Sequence, residues 1–248
     1  MNVFVTGASA GFGAAIARAF VKGGHQVIAT ARRKDRLDAL AAELGDALLP
    51  LELDVRDAEA VAALPQQLPA AFGAIDVLVN NAGLALGVEP AHKASVDEWR
   101  TMIDTNCVGL VQVTHALLPG MVGRNRGHVV NLGSTAGSYP YAGGNVYGAT
   151  KAFVRQFSLN LRADLTGTAV RVTDVEPGLC GGTEFSDVRF RGDAGKAASM
   201  YRNVQALTPG DIAESIYWIA TRPAHVNINR IELMPVAQSF AGLSVHRG

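Results

Sequence analysis

Short apolar runs alternate with amphipathic segments of helical length along most of the chain. Strands are predicted for the seven runs rich in Val and Ile, residues 3–6, 26–30, 48–53, 77–80, 128–132, 169–175 and 230–234. Helices are predicted for the amphipathic segments 12–22, 34–44, 58–71, 96–121, 146–165 and 209–220. This alternation is typical of βαβ units, whose strands lie parallel in one sheet between layers of helices. The chain is therefore predicted to have the α/β fold class, with residues 1–248 as one domain.

Two segments interrupt this alternation. Residues 177–207 contain five glycines and show weak periodicity. A stretch of that length without regular structure is typical of a binding loop or lid, and we call it the substrate loop. The tail, residues 235–248, is mildly apolar at Val236, Phe240, Leu243 and Val245. We expect the tail to dock on its own subunit or on a neighbour.

Charge and composition narrow the classes of partner. The 22 Lys and Arg residues balance 22 Asp and Glu residues, so no net field attracts nucleic acid or an anionic membrane. No apolar run reaches the roughly 18 residues that span a bilayer, and the N-terminus lacks the basic segment of a signal peptide. The two cysteines form no CxxC pair, and the histidines lack metal-ligand spacing. We therefore expect a cytoplasmic protein that binds no nucleic acid, membrane or metal.

A glycine-rich turn directly follows the first predicted strand and begins the first helix. Residues 6–13 read TGASAGFG. Glycine permits a tight turn and the close approach of a pyrophosphate, whose charge is favoured by free N–H groups at a helix N-terminus. A P-loop is excluded because no Gly-Lys-Ser/Thr follows the turn. The residues of this turn predicted to bind a dinucleotide are Gly7, Ala8, Ser9, Ala10, Gly11, Phe12 and Gly13.

Two arginines, Arg32 and Arg33, follow the second strand, where an NAD-binding protein usually has an acidic residue. A guanidinium pairs bidentately with phosphate, so this pair favours the 2′-phosphate of NADP. Alternatively, both are surface arginines at the start of a helix. Asp54, after the third strand, either accepts a hydrogen bond from the adenine amino group or caps the next helix. NADP is the predicted cofactor.

Three residues suited to proton transfer occur at linked positions. Ser134 follows the fifth strand, and Tyr147 and Lys151 stand four residues apart on the next helix, hence on one face. A tyrosine hydroxyl titrates near ~10, so it needs a nearby ammonium to act as a base at neutral pH. Lys151 supplies that charge, and Ser134 can hydrogen-bond a substrate oxygen. Taken alone, the Tyr–Lys spacing also fits a solvated helix face.

Asn106 is a polar interruption in the otherwise apolar helical stretch around it. A polar side chain inside a helix is usually exposed, but this one interrupts the face that is predicted to be buried. We predict that it holds a water molecule that links Lys151 to bulk solvent.

With these residues in place, the chain resembles the short-chain dehydrogenase/reductase family over essentially its full length. The family motif TGxxxGxG matches residues 6–13, NNAG matches residues 80–83 and YxxxK matches residues 147–151. The resemblance implies a single, doubly wound Rossmann domain with a seven-stranded parallel sheet. It also implies a catalytic tetrad of Asn106, Ser134, Tyr147 and Lys151. The remaining predicted cofactor-binding residues are Val55, Asn81, Ala82, Gly83, Pro177, Gly178 and Thr183, together with Tyr147 and Lys151.

Longer strings are similar to a narrower group, the bacterial NADP-dependent 3-hydroxy acid dehydrogenases. They occupy residues 82–87, 89–95, 133–138, 140–147, 177–179 and 181–185. Members of that group, also described as serine or allo-threonine dehydrogenases and malonic semialdehyde reductases, oxidise the 3-hydroxyl of short hydroxy acids or reverse the reaction. The group's members are homotetramers. The resemblance therefore implies a small-molecule hydroxy acid substrate and a homotetrameric assembly.

A hydroxy acid substrate carries a carboxylate that a basic residue is expected to bind. Arg189, Arg191 and Lys196 lie in the substrate loop, although each also fits an exposed loop charge. Arg189 is the preferred candidate because apolar residues flank its segment. The predicted substrate-binding residues are Ser134, Tyr147 and Arg189.

Other functions compete with hydroxy acid oxidation. A general NADPH-dependent carbonyl reductase would use the same residues on neutral ketones or aldehydes. A redox sensor that binds NADP without turnover would need the glycine turn but no tetrad. A nucleotide-sugar epimerase or dehydratase shares the turn and YxxxK but normally carries a longer C-terminal substrate domain. A panel of acids and neutral carbonyls distinguishes these classes.

Overall fold

One sheet of seven strands forms the centre of the protein, and the computed structural model describes residues 1–240. Neighbouring strands are parallel and follow the order β3-β2-β1-β4-β5-β6-β7. They are β1 Asn2–Thr6, β2 Gln26–Ala31, β3 Leu48–Glu52, β4 Ile75–Asn80, β5 Gly127–Leu132, β6 Val170–Pro177 and β7 Arg230–Leu233. The predicted α/β class with seven parallel strands is confirmed. Because the strand order reverses between β1 and β4, a crevice opens at their carboxyl ends.

Helices cover both faces of the sheet. They are α1 Gly11–Lys22, α2 Lys34–Leu44, α3 Ala58–Gln67, α4 Val96–Ile103, α5 Leu110–Gly123, α6 Asn145–Asp164, α7 Phe185–Arg189, α8 Ala194–Ser199 and α9 Pro209–Ala220. Polar side chains fix several starts: Asp57 accepts hydrogen bonds from two backbone N–H groups of α3, and Thr208 forms a capping box with Asp211 on α9.

Two predicted helices have different bounds in the structure. The helix predicted for residues 58–71 ends at Gln67, because Leu68 precedes a proline and adopts an extended conformation. The long helix predicted for residues 96–121 is interrupted by a π-helical segment, Asp104–Gly109. Such a segment adds one residue per turn and changes which side chains face inward. Here it turns the side chain of Asn106 toward the protein interior.

The sheet is held between two apolar layers. On one face, Phe20 of α1 packs with Ile212 and Ile216 of α9, and all three are fully buried. On the other face, Phe4 and Leu78 of the sheet contact α3, α5 and α6 through a second cluster. Burial of side chains of this size contributes about 1.5–3 kcal/mol each to the free energy of unfolding. These layers fix the strands whose carboxyl ends build the site.

The substrate loop has more structure than its sequence predicts. The expectation of an irregular segment over residues 177–207 is wrong, because the segment contains α7 and α8 and a parallel bridge between Cys180 and Leu207. Asp193 caps α8 by accepting the N–H of Lys196 at 3.0 Å. Helices as short as these have weak hydrophobic periodicity, so the sequence pattern does not predict them.

The described part of the tail contacts its own subunit. Gln238 accepts a hydrogen bond from the backbone N–H of Leu179 at 2.7 Å, and the Phe240 ring lies 4.6 Å from the ring of Tyr139. Leu243 and Val245, also predicted to dock, lie outside the described residues. Within residues 1–240, no helix combines the length and the apolar character needed to cross a bilayer.

Candidate active site

A cleft of about 660 Å³ opens at the carboxyl ends of the strands and continues beneath the substrate loop. Nearly all the predicted cofactor-binding residues line it. They are Gly7, Ser9, Ala10, Gly11, Phe12, Arg32, Arg33, Asp54, Val55, Asn81, Ala82, Gly83, Tyr147, Lys151, Pro177, Gly178 and Thr183. Ala8 and Gly13 do not line the cleft, because Ala8 is fully buried with its N–H bonded to Thr30 and Gly13 packs against the backbone of the turn.

The glycine turn presents the start of α1 to the cleft. The helix begins after Ala10 without a side-chain cap, so the N–H groups of its first turn are available to a ligand. Gly7 has a φ of +67°, a left-handed conformation that favours glycine. The Asn81 amide fixes the turn from β4 by donating to the carbonyl oxygens of Thr6 at 2.8 Å and Gly7 at 3.1 Å. These features are better suited to a turn that binds a pyrophosphate than to a strand-to-helix turn that binds no ligand.

Gly13 is required by close packing, which gives a first prediction. A Cβ at this position would overlap the Gly7 carbonyl oxygen and lie 2.7 Å from the Ala8 Cα atom. Both obstacles are backbone atoms and cannot rotate away, so Gly13→Ala is expected to lower the free energy of unfolding by about 1–3 kcal/mol. It is also expected to weaken NADP binding, since the turn must shift. Urea unfolding and cofactor fluorescence titration measure the two effects.

Gly123→Ala is the matched control for that variant. Gly123 ends α5 and has open space where a Cβ would be. Its replacement is expected to leave stability within about 0.5 kcal/mol of wild type, as is usual for surface positions. Equal losses in both variants would contradict the packing explanation.

Arg33 is held in place by residues of two other segments. Its guanidinium donates to the Ser9 hydroxyl at 3.0 Å and forms an ion pair with Glu184 at 2.8 Å. Glu184 belongs to the substrate loop and is not among the predicted site residues. It links the loop to the β2–α2 turn across the cleft. A residue of this kind leaves no local signal, because its partner is about 150 positions away in the chain.

Asp54 does not cap α3, which is the task of Asp57. Its carboxylate pairs with the Arg56 guanidinium at 2.6 Å and accepts the Arg56 backbone N–H at 3.0 Å. These hydrogen bonds hold the pKa of Asp54 below its ordinary value. The carboxylate therefore stays ionised, and it lines the cleft as an acceptor.

Ser134, Tyr147 and Lys151 all line one part of the cleft. Ser134 precedes a short 3₁₀ turn, Thr135–Gly137, which packs on α6 and brings the hydroxyl beside Tyr147. Burial raises the pKa of the Tyr147 hydroxyl to about 12, and the hydrogen bond with Ser134 acts in the opposite direction. A second contribution that lowers this pKa comes from the nearby Arg189.

Lys151 is buried on the same face of α6 as Tyr147. Its Nζ donates to the Leu132 carbonyl at 2.7 Å and lies 5.9 Å from the centre of the Tyr147 ring. Burial lowers the pKa of Lys151 to about 8. The predicted solvated-face alternative is wrong for this pair, because both side chains are more than nine-tenths buried.

Asn106 lies behind the cleft rather than in its lining. Its Nδ2 donates to the Leu84 carbonyl at 2.9 Å and to the Thr150 hydroxyl at 3.1 Å, and its Oδ1 accepts the Leu84 N–H at 2.9 Å. The π-helical segment gives the side chain this inward position. Asn106 thus joins the loop after β4 to α6 one residue before Lys151. Its predicted water-holding role stays a prediction.

The three candidate carboxylate ligands have different surroundings. Arg191 is bound by Glu89 and Glu98, each at 2.7 Å, and Lys196 is exposed beside Asp193. Arg189 lines the cleft, and its guanidinium carbon lies 5.2 Å from the centre of the Tyr141 ring and 5.8 Å from that of Tyr147. It donates to the Tyr141 hydroxyl at 2.8 Å. Its contacts are neutral, so its charge is available to an anion in the cleft.

Known proteins resemble this chain over its whole length. A protein-family model described as short chain dehydrogenase matches residues 1–193. An NADP-dependent 3-hydroxy acid dehydrogenase of Salmonella typhi is 69% identical over 247 residues, covering 100% of both chains. A serine 3-dehydrogenase of Agrobacterium fabrum is 54% identical over 246 residues, 99% of this chain and 98% of the relative. A solved structure, the closed form of a serine dehydrogenase complexed with NADP+, has a TM-score of 0.99 at 66% identity and 100% coverage of both chains.

Proposed function

Because the chain belongs to the short-chain dehydrogenase family, we propose that it is an NADP-dependent oxidoreductase of short 3-hydroxy acids. The observation that carries this proposal is the meeting of Ser134, Tyr147 and Lys151 in a cleft that Arg189 also lines. Relatives named for serine and 3-hydroxy acid oxidation support the substrate class. Candidate substrates are serine, allo-threonine and 3-hydroxypropionate, with malonic semialdehyde in the reductive direction. The predicted homotetramer and cytoplasmic location belong to the same proposal.

The lining of the cleft has the chemistry that NADP requires. When bound, NADP accepts a hydride from the substrate carbon or returns it. The uncapped start of α1 would bind the pyrophosphate, and Arg32 and Arg33 would bind the 2′-phosphate. Asp54 would accept a hydrogen bond from the adenine amino group. The remaining contacts would come from Val55, Asn81, Ala82, Gly83, Pro177, Gly178 and Thr183.

Tyr147 acts as the general acid and base in this proposal. In oxidation its phenolate takes the proton of the substrate 3-hydroxyl, and in reduction its hydroxyl returns that proton to the oxygen. Burial alone would keep the hydroxyl protonated, since it raises the pKa to about 12. The phenolate therefore depends on the positive charges of Lys151 and Arg189 and on the Ser134 hydrogen bond. Ser134 also orients the substrate oxygen.

Arg189 is the proposed carboxylate ligand. Its guanidinium carbon lies 5.2 Å from the centre of the Tyr141 ring and 5.8 Å from that of Tyr147, so its positive charge is close to the Tyr147 side chain. A short hydroxy acid has its carboxylate only two bonds from the hydroxyl-bearing carbon, so both groups must be bound close together. Arg191 cannot serve in the same way, because two carboxylates already bind its guanidinium. We propose that Arg189 therefore selects acids over neutral alcohols.

A substrate panel tests the proposal and the role of Arg189 together. Serine, allo-threonine, 3-hydroxypropionate and uncharged alcohols of equal length are assayed with NADP and NAD by absorbance of the reduced cofactor. Wild type is expected to prefer acids, and Arg189→Ala is expected to raise KM for acids about 10- to 100-fold, as loss of a charge-assisted hydrogen bond predicts. KM for neutral alcohols is expected to stay nearly constant.

Lys196→Ala is the control, since this cation lies in the same loop but pairs with Asp193 away from the cleft. It is expected to behave as wild type. An equal rise in KM for acids and neutral alcohols in Arg189→Ala would reject its role as carboxylate ligand. Turnover of neutral carbonyls without any acid would instead identify a general carbonyl reductase.

A further inference from the structure

Three carboxyl groups lie together behind the proposed active site. Asp174 and Glu176 are two residues apart on β6, so both side chains point to the same face of the sheet, toward α6. Both residues are only 1% exposed. Glu232 lies beside Glu176 in the β6–β7 register. The cleft lining includes none of these three residues, so the cluster stands behind it.

The hydrogen bonds of this cluster are incomplete. Both carboxyl oxygens of Asp174 and Oε1 of Glu176 are buried without a partner. Buried polar atoms are rarely left in this way, because an unmatched group loses the hydrogen bonds that water would provide. Among residues 1–240, no group of three potential ligands has the arrangement of a metal site. A proton shared between Asp174 and Glu176 would give one oxygen of each carboxyl group a hydrogen bond.

Asp174 contacts the segment that carries Ser134. A Cβ at Gly133 would overlap its Oδ1 atom, so the carboxyl lies directly against the backbone that precedes Ser134. It is also the carboxyl whose negative charge favours the protonated form of Lys151. Lys151 is buried with a carbonyl as its hydrogen-bond partner. A nearby negative charge therefore offsets the cost of burying its ammonium.

We propose that Asp174 and Glu176 form a proton-sharing pair that acts as the counter-ion of Lys151 and thereby positions and charges it for catalysis. With one proton for two carboxyl groups, the pair carries a single negative charge. Asp174 is the member close to Lys151, and Glu176 is the member close to the outer cations. The pair is a positioning element rather than a catalytic one, since it acts through Lys151. This inference rests on the proposed role of Lys151.

Other charged groups surround the pair on each element packed against it. From α6, Arg155 donates to the Ser138 hydroxyl at 2.6 Å, and Ser138 in turn contacts Glu176 at 3.4 Å. From β7, Arg230 lies 3.6 Å from Glu176. The remaining titratable neighbours are Glu232 on β7, Tyr139 bonded to it, and Cys107 beside Lys151. Glu176 thus has a cation beside it, as Asp174 has Lys151, so either member of the pair can carry the single negative charge.

The pair does not serve stability at neutral pH. Burial and the neighbouring Glu176 raise the pKa of Asp174 well above its ordinary value. The unfolded chain releases this proton at lower pH than the folded protein does. Stability is therefore undiminished at acidic pH and falls as pH rises between the ordinary and the raised pKa. The pair therefore lowers stability in this pH range, and charging Lys151 is the role that we assign to it.

Two isosteric variants of the full-length enzyme test the inference with opposite expected signs. Asp174→Asn keeps a donor to Glu176 but confines the negative charge of the pair to Glu176, away from Lys151. The high-pH limb of the kcat/KM profile for oxidation, where Lys151 loses its proton, is therefore expected to move about half a unit or more to lower pH. Glu176→Gln confines the negative charge to Asp174, beside Lys151, so the same limb is expected to move to higher pH. Glu232→Gln, in the same cluster but on β7, is expected to leave the profile unchanged.

Thermal unfolding of the same variants gives a readout independent of activity. In Asp174→Asn the fall in Tm with rising pH is expected to become shallower, because the proton that causes it is absent. Unshifted or equally shifted profiles for Asp174→Asn and Glu176→Gln would overturn the inference, and so would an unchanged Tm slope. If Asp174→Asn fails to fold, Glu176→Gln alone decides by the sign of its shift.

A further variant separates this inference from the proposed function. Lys151→Met is expected to lose activity. If it stayed active, the proposed role of Lys151 would fail. If it were inactive while both carboxyl variants kept the wild-type pH profile, only the inference about Asp174 and Glu176 would fail.

Discussion

Replacement of Tyr147 by Phe is expected to lower turnover of every hydroxy acid by about 10²- to 10⁴-fold, the usual contribution of a positioned general acid or base. The change removes one oxygen atom from a buried side chain and leaves the ring in contact with Phe185. The cleft should therefore keep its shape, and the NADPH dissociation constant is expected to stay within a few-fold of wild type. Steady-state kinetics and fluorescence titration of NADPH measure the two quantities.

Tyr217→Phe provides the control for this variant. Tyr217 lies on α9, packs on Phe20 and does not line the cleft. Removal of its hydroxyl is expected to leave turnover unchanged. Turnover near the wild-type level in Tyr147→Phe would remove Tyr147 from the mechanism. In the described part of the chain, no other tyrosine of the cleft stands four residues from a buried lysine, so none is expected to replace it.

The double variant Arg32→Ala/Arg33→Ala is expected to change the choice of cofactor. Both guanidinium groups would bind the same phosphate, and each would contribute charge-assisted hydrogen bonds. With allowance for their exposure, kcat/KM with NADP should therefore fall about 10- to 100-fold. NAD has no 2′-phosphate, so kcat/KM with NAD should change little. The measured quantity is the ratio of the two values at fixed ionic strength, because screening weakens such contacts.

Arg36→Ala is the matched control for the arginine pair. Arg36 lies on α2 within 3.9 Å of Glu184 and shares that partner with Arg33, but it does not line the cleft. Its loss is expected to leave the NADP to NAD ratio unchanged. If the double variant kept the wild-type ratio, the 2′-phosphate would have to be recognised by other residues.

The strands could be predicted closely because their signal is local. Buried parallel strands are continuous apolar runs, and β2 and β5 match their predicted ranges within one residue at each end. The glycine turn could be placed for a similar reason, since its function depends on residue type at adjacent positions. The same holds for Tyr147 and Lys151, whose separation of four residues puts them on one helical face.

Features that depend on distant contacts could not be predicted. The inward position of Asn106 follows from a π-helical segment, and no composition rule distinguishes such a segment from a continuous helix. The position of Glu184 depends on its ion pair with Arg33, which is far away in the chain. The burial of Asp174 depends on Gly133, directly after β5, leaving room for its carboxyl. In each case the position of the side chain depends on a contact that exists only in the folded protein.

The pairing of β1 with β4 also determines when the glycine turn is fixed during folding. Val3 pairs with Val77, so this contact closes a long loop of chain, whereas β1 pairs with β2 over a much shorter separation. Loop-closure entropy makes such distant pairings slow to form. The glycine turn is fixed by Asn81, which directly follows β4. A nascent chain can therefore build β1, α1 and β2 early, but its glycine turn is fixed only after β4 has been synthesised and has joined the sheet.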